Sequence, residues 1–199
     1  MSTVSFATLN RAAMAAALTA ALAQVAIPLP FTPVPVTLQV LGVLLAALAL
    51  PPGAATLSQL AYLALGAAGL PVFAGFGAGA HQLVGPTGGY LWGFVLAAPV
   101  SSALFRMGHP GHRRLPAAAR AAIACAAGVV IIYALGVTQL AAVMGLSWMR
   151  ALALGAGPFV AADLAKAVAA CLAAPYIERA ITAAEARPAP SRGASGRPA

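Results

Sequence analysis

The sequence predicts an all-α integral membrane protein of six transmembrane helices with both termini on the cytoplasmic side. Three observations carry this expectation. Hydrophobic residues make up 62% of the 199-residue chain and charged residues only 7%, where a soluble domain carries about 25% charged residues. Apolar stretches recur six times between breaks rich in proline, glycine or arginine. The arginines are also divided unevenly between alternate breaks, as orientation in a membrane requires.

The spans expected are roughly 9–29, 36–50, 54–70, 87–106, 117–144 and 156–178. The first has small residues at its end, as a cleaved signal peptide would. An alanine-rich chain offers such sites everywhere, so the stretch is kept as a helix. Pro28-Leu29-Pro30-Phe31-Thr32-Pro33-Val34-Pro35 then breaks the chain. Spans two and three, separated by Pro51-Pro52-Gly53, are short against the ~20 residues of a full crossing. A glycine-rich run over 75–89 precedes the fourth span, and a basic loop over 107–116 the fifth. After a segment around Ser147-Trp148, the sixth begins near Pro158, which suits a first helical turn. One membrane domain, 1–182, is expected, with a disordered cytoplasmic tail of Ala, Pro, Ser, Gly and Arg over 183–199.

With a cytoplasmic N-terminus, the inner segments hold Arg11, Arg106, Arg113, Arg114, Arg120, Arg179, Arg187, Arg192 and Arg197, and the outer ones only Arg150. That bias supports an even number of spans in the cytoplasmic membrane. Trp92 and Trp148 then fall near the outer face, where an aromatic belt is expected. The net charge of +8 is read as orientation and contact with anionic lipid. Nucleic acid is excluded because the arginines are not interleaved with aromatics on one face. Cys125 and Cys171 lie in apolar helix as small hydrophobes, and neither a metal site nor a disulfide framework follows from them.

Asp163 is the only aspartate and Lys166 the only lysine. Three residues apart on a helix, they share one face. An ionised group at membrane depth costs at least ~2.5–3.5 kcal/mol. The bland alternative is a pair that neutralises itself so the helix can insert. The functional one is a polar pocket floor: the carboxylate accepts from ligand N–H groups and the ammonium donates to a carbonyl or carboxylate. At 1.5 Å per residue, Asp163 lies ~7–8 Å below the outer end of its helix, within reach of a ligand from outside. Segments 28–35, 71–89 and 145–157 converge above it. The run from Val72 to Tyr90 can close over a small molecule, with Gln82 as a lid residue and His81 as a solvated histidine. It lacks the Lys-Ser/Thr of a P-loop, so no ATP site is expected. No catalytic set appears, because the other acids, Glu178 and Glu185, fall at the opposite end. On the first helix Ala13, Ala17 and Ala21 repeat at four-residue spacing, a surface for close approach of a partner helix or simply alanine-rich helix.

Pro28 to Gln39, Gly69-Leu70-Pro71-Val72-Phe73-Ala74-Gly75, Gly85-Pro86-Thr87-Gly88-Gly89-Tyr90 with Leu91-Trp92-Gly93-Phe94, and Gly157-Pro158-Phe159 with Asp163 and Lys166 resemble, in order, the motifs of the BioY family. These are the biotin-specific S components of energy-coupling-factor (ECF) transporters, and the resemblance covers roughly residues 10–178. It implies the six-helix S-component fold and biotin captured from the outer side. Asp163 and Lys166 would bind it, with Gln39, Gly75, Gln82, Thr87, Gly88 and Tyr90 from the matching segments and outer loops. It further implies docking of a transmembrane coupling subunit on Ala13, Ala17 and Ala21, separate ATPase subunits, and no cofactor. A homo-oligomer is left open. The competing readings are an S component for another vitamin, an intramembrane enzyme using Asp163 and His81, and a purely structural subunit.

Overall fold

The computed structural model describes residues 6–107 and 115–185. Eight α-helices occur among them: α1 (Phe6–Ala23), α2 (Gln39–Ala49), α3 (Pro52–Ala67), α4 (His81–Val84), α5 (Gly88–Arg106), α6 (Ala117–Met144), α7 (Trp148–Gly155) and α8 (Val160–Glu185). A two-stranded antiparallel hairpin, β1 (Ala26–Leu29) and β2 (Thr32–Thr37), joins α1 to α2. Each of the six expected spans overlaps one of the longer helices, but among the described residues only α1, α5, α6 and α8 are long and apolar enough to cross a membrane by themselves. Helix α2, with 11 residues, is apolar but short.

The differences from expectation have local causes. Helix α1 stops at Ala23 instead of continuing to residue 29, because Val25, Ile27 and the prolines that follow favour extended backbone and pair as a hairpin. Helix α6 ends at Gly145, whose left-handed backbone (φ 62°) turns the chain, and α7 starts after Ser147. Helix α8 begins at Val160, so Asp163 lies in its first turn, ~4.5 Å along the axis instead of the expected 7–8 Å. It runs through Glu185, past the boundary placed at 182. The rest of the expected tail, most of the basic loop, and Arg113, Arg114, Arg187, Arg192 and Arg197 lie outside the described residues.

Helix α5 packs along α6, α6 against α8, and α8 against α2, while α1 and α3 close the other side against α2 and α5. Small residues set these distances. A Cβ at Gly93 would lie 2.8 Å from the Ile132 Cα, and one at Gly89 would collide with the Leu135 carbonyl, so α5 reaches the backbone of α6 only because both are glycine. On α8 the buried positions are Asp163, Lys166, Ala170 and Ala174, one stripe at helical spacing, while Leu164, Val168, Leu172 and Tyr176 face outward. Outward leucine, valine and tyrosine are what a lipid-facing surface requires. The sole Asp and Lys therefore sit on the packed face of an otherwise apolar helix.

Candidate functional site

A cavity of about 210 Å³ opens where the hairpin, the N-termini of α2, α5 and α8, and the middle of α6 converge. Its floor is charged. Lys166 Nζ donates to Asp163 Oδ1 at 2.5 Å, and the Tyr133 hydroxyl, arriving from α6, donates to Asp163 Oδ2 at 2.5 Å. Asp163 and Lys166 are only 3% and 7% exposed, so water contributes little to their solvation. Removing one partner of such a pair would strand the other charge. Each carboxylate oxygen still has acceptor capacity, and the ammonium two more N–H donors. The floor can therefore meet a ligand's donor and acceptor together without the pair separating.

The walls are mostly apolar, built from Val34, Val40, Phe73, Leu91, Phe94, Ile132 and Phe159 with Pro33 and Pro35 of β2. One polar edge comes from α2. Gln39 Oε1 accepts from Thr37 Oγ1 at 2.9 Å, and its Nε2 donates to the Tyr62 hydroxyl at 2.6 Å. Tyr62 stands edge-on to Phe73, with ring centroids 5.5 Å apart. Thus a chain from β2 through α2 to α3 fixes the Gln39 amide beside the cavity. Tyr90 is held just as firmly. Its ring fills the place a Cβ at Gly136 would need, and its hydroxyl donates to the Gly155 carbonyl at 2.7 Å. Gln139 of α6 donates to the carbonyls of Leu83 and Gly85 at 3.0 and 2.8 Å, fixing the turn that carries Gln82 and Thr87.

Of the residues singled out from the sequence, Asp163, Lys166, Gln39, Gln82, Thr87 and Tyr90 all line this cavity. Gly75 instead lines a neighbouring cavity beside the hairpin, and its left-handed backbone (φ 59°) makes the turn there. Gly88 does not line the cavity; a Cβ there would collide with the Leu83 carbonyl and the Gln139 side chain. His81 is exposed on α4 and does not line the cavity, so it has no access to Asp163 as a catalytic partner. Ala13, Ala17 and Ala21 are exposed, whereas Ala12, Ala16, Thr19 and Ala23 form the packed face of α1.

Sequence reasoning did not find Tyr133. The available signal was a single tyrosine within the apolar span 117–144, and a hydroxyl at that depth needs a partner. Thr37 and Tyr62 were missed for the same reason, since their link to Gln39 exists only once three elements are assembled.

Known proteins share this fold. The crystal structure of the S-component for biotin from an ECF-type ABC transporter superposes with a TM-score of 0.77 at 26% identity, covering 88% of this chain and 91% of that one. The biotin transporter BioY of Thermotoga maritima is 45% identical over 148 residues, 74% of this chain and 83% of its own length. The probable biotin transporter BioY of Pyrococcus horikoshii is 37% identical over 166 residues, 83% and 93% of the two chains. Residues 1–183, which include every residue lining the cavity, match the BioY family, and the chain belongs to that family.

Proposed function

We propose that this chain is a biotin-uptake protein of the cytoplasmic membrane: a six-span S component with both termini inside that captures biotin from the outer side. The observation that carries the reading is the buried Asp163–Lys166 pair, held by Tyr133 at the floor of an apolar cavity. Biotin's ureido ring offers two N–H donors and one carbonyl acceptor, which a carboxylate and an ammonium satisfy together. Its fused rings and aliphatic chain suit the Phe, Leu, Ile and Val walls. Gln39, Gln82 and Thr87 offer further hydrogen bonds along the rim, and Tyr90 an aromatic wall.

The short α2 and α3 are read as crossing within the bundle, packed between longer neighbours. The chain performs no chemistry on the ligand; the work of uptake falls to a transmembrane coupling subunit and ATPase subunits. The exposed alanines Ala13, Ala17 and Ala21 support a close helix–helix contact as the docking face for the coupling subunit. The outward Leu164, Val168 and Leu172 of α8 support lipid contact on another side.

Isothermal titration of the purified protein with biotin tests the reading. One saturable site per chain is expected. No binding, or a different vitamin carried through purification in its place, would overturn it.

A further inference from the structure

Lipid tails are as apolar as a leucine side chain, so inside a bilayer an apolar face alone does not fix how a helix is turned. Close packing and polar contacts do. Helix α1 depends on them more than most. Its packed face is Ala12, Ala16, Thr19 and Ala23, and the neighbouring face, Ala13, Ala17 and Ala21, is turned outward. Successive helical residues are about 100° apart. Turning α1 by that angle would bring Ala13, Ala17 and Ala20 to the places of Ala12, Ala16 and Thr19. Two of those three exchanges are alanine for alanine, so Thr19 is the position that tells the two seatings apart.

Thr19 has a shaped seat. On α2, a Cβ at Gly42 would lie 3.0 Å from the Thr19 Cα and 3.1 Å from its Oγ1, so the missing side chain leaves the notch that Thr19 fills. On α3, Gln59 Nε2 donates to Thr19 Oγ1 at 3.4 Å and to Ser58 Oγ at 3.1 Å. Thr19 donates onward to the Ala15 carbonyl at 3.1 Å and Ser58 to the Ala55 carbonyl at 2.8 Å. All three side chains are fully buried. The outer end of α1 has a separate tie, because Gln24, just past Ala23, bonds the Val72 carbonyl and the Phe76 N–H. The stretch from Phe6 to Leu18, which carries Ala13 and Ala17, has no comparable tie among the described residues, and its seating passes through Thr19.

The network is not closed. Gln59 Oε1 is buried and has no hydrogen-bond partner among the described residues. An unused buried acceptor costs stability, and an apolar side chain of similar shape avoids that cost. Gln59 is therefore poorly explained as a fastener. What the amide supplies is direction, since it finds a hydroxyl on α1 in one rotation of the helix and an alanine methyl in the other.

We infer that Gln59 is a positioning residue which, through Thr19 and the Gly42 notch, fixes the rotation of α1 and so decides which alanine face the helix presents. The inference rests on the reading of Ala13, Ala17 and Ala21 as the docking face, and it names what orients that face. Thr19, Gly42, Ser58 and Gln59 are all absent from the lining of the ligand cavity. The seat therefore acts on the presented surface and leaves the biotin site alone.

Rotation is measurable in this chain without any partner, so the result stands apart from whether the alanine face docks a coupling subunit. Nitroxides are placed at Met14→Cys, exposed on α1, and at Leu172→Cys, exposed on α8, in a Cys125→Ala/Cys171→Ala background. Their separation is read by double electron–electron resonance in lipid nanodiscs. The reference protein and Thr19→Ser, which keeps the hydroxyl, should give one distance. In Gln59→Leu and in Thr19→Val a second distance should rise from about one molecule in a hundred to about one in ten or more, the tenfold shift expected from one interhelical hydrogen bond. The melting temperature of Gln59→Leu should be unchanged or higher, and the biotin Kd should stay within about twofold in every variant. A single, unchanged distance in both Gln59→Leu and Thr19→Val overturns the inference. So does a lowered melting temperature with no second distance, which would make the seam a fastener. Wild-type protein that docks no coupling subunit, with the distances behaving as stated, would fail the docking reading alone.

Discussion

Among the described residues, helix α8 carries two ion pairs, one near each end. Near its N-terminal end, Lys166 pairs with Asp163; toward its C-terminal end, Glu178 pairs with Arg120 of α6. Both are largely removed from water, and by charge alone they look alike. Their surroundings differ. Arg120 donates to the Phe105 carbonyl at 2.8 Å, with its guanidinium 5.0 Å from the centre of the Phe105 ring. It ties the last turn of α5 to α6 and α8, and neither partner lines either cavity described above. Asp163 and Lys166 are the more deeply packed pair but face an open cavity with bonding capacity to spare. A buried pair whose remaining valences meet packed protein is a fastener; one whose valences meet a cavity is a binding site.

Four substitutions sharpen that contrast. Lys166→Met should have the largest effect. It strands the Asp163 carboxylate in an apolar site, costing about 3–5 kcal/mol of stability, and it removes biotin binding. Thermal unfolding in detergent checks the first part and titration the second. In the double variant Asp163→Asn/Lys166→Met much of the lost stability should return, but not the binding. Recovery of binding in the double variant would identify the pair as a fastener too.

Glu178→Gln should be smaller and of the opposite kind. Weakening the charge-assisted bond from Arg120 to a carboxylate whose side chain is 26% exposed lowers stability by about 1–3 kcal/mol, while the biotin Kd stays unchanged. A shift in Kd comparable to the stability loss would show that the two ends of α8 are coupled. Smallest is Tyr133→Phe, which keeps the ring and deletes only the hydroxyl on Asp163 Oδ2. A loss of about 1 kcal/mol in biotin affinity is expected, roughly fivefold, with little change in melting temperature. An unaltered Kd would mean that Lys166 alone orients the carboxylate.

The sequence made some of this legible and hid the rest for identifiable reasons. The bounds of α6 were visible because Pro116 and Gly145 punctuate an unbroken apolar run. Those of α1 were not. Apolarity continues through Val25 and Ile27, and it does not distinguish a buried helix from a strand. Asp163 and Lys166 stood out because an ionised residue in an apolar span is costly wherever it packs. Tyr133 carried no such flag, since a tyrosine within a span also suits a lipid interface. Its role appears only when α6 crosses α8. Gly75 and Gly88 illustrate the converse. Their motifs adjoin the cavity, but one glycine turns the loop beside it and the other lets α5 approach its neighbours. A motif fixes a neighbourhood, and assembly decides which side chains face inward. Arg120 and Glu178 were separable from the site only by position along the helix, since charge in a span marks both fasteners and sites.

The central claim is that the pair at the N-terminal end of α8 binds ligand and the pair toward its C-terminal end does not. Isothermal titration of biotin into wild type, Asp163→Asn and Glu178→Gln, each verified as folded, tests it most directly. The account predicts a loss of at least about 1.5–3 kcal/mol in Asp163→Asn, the scale of a hydrogen bond to a charged group, and wild-type affinity in Glu178→Gln. Equal affinity in all three proteins would contradict it.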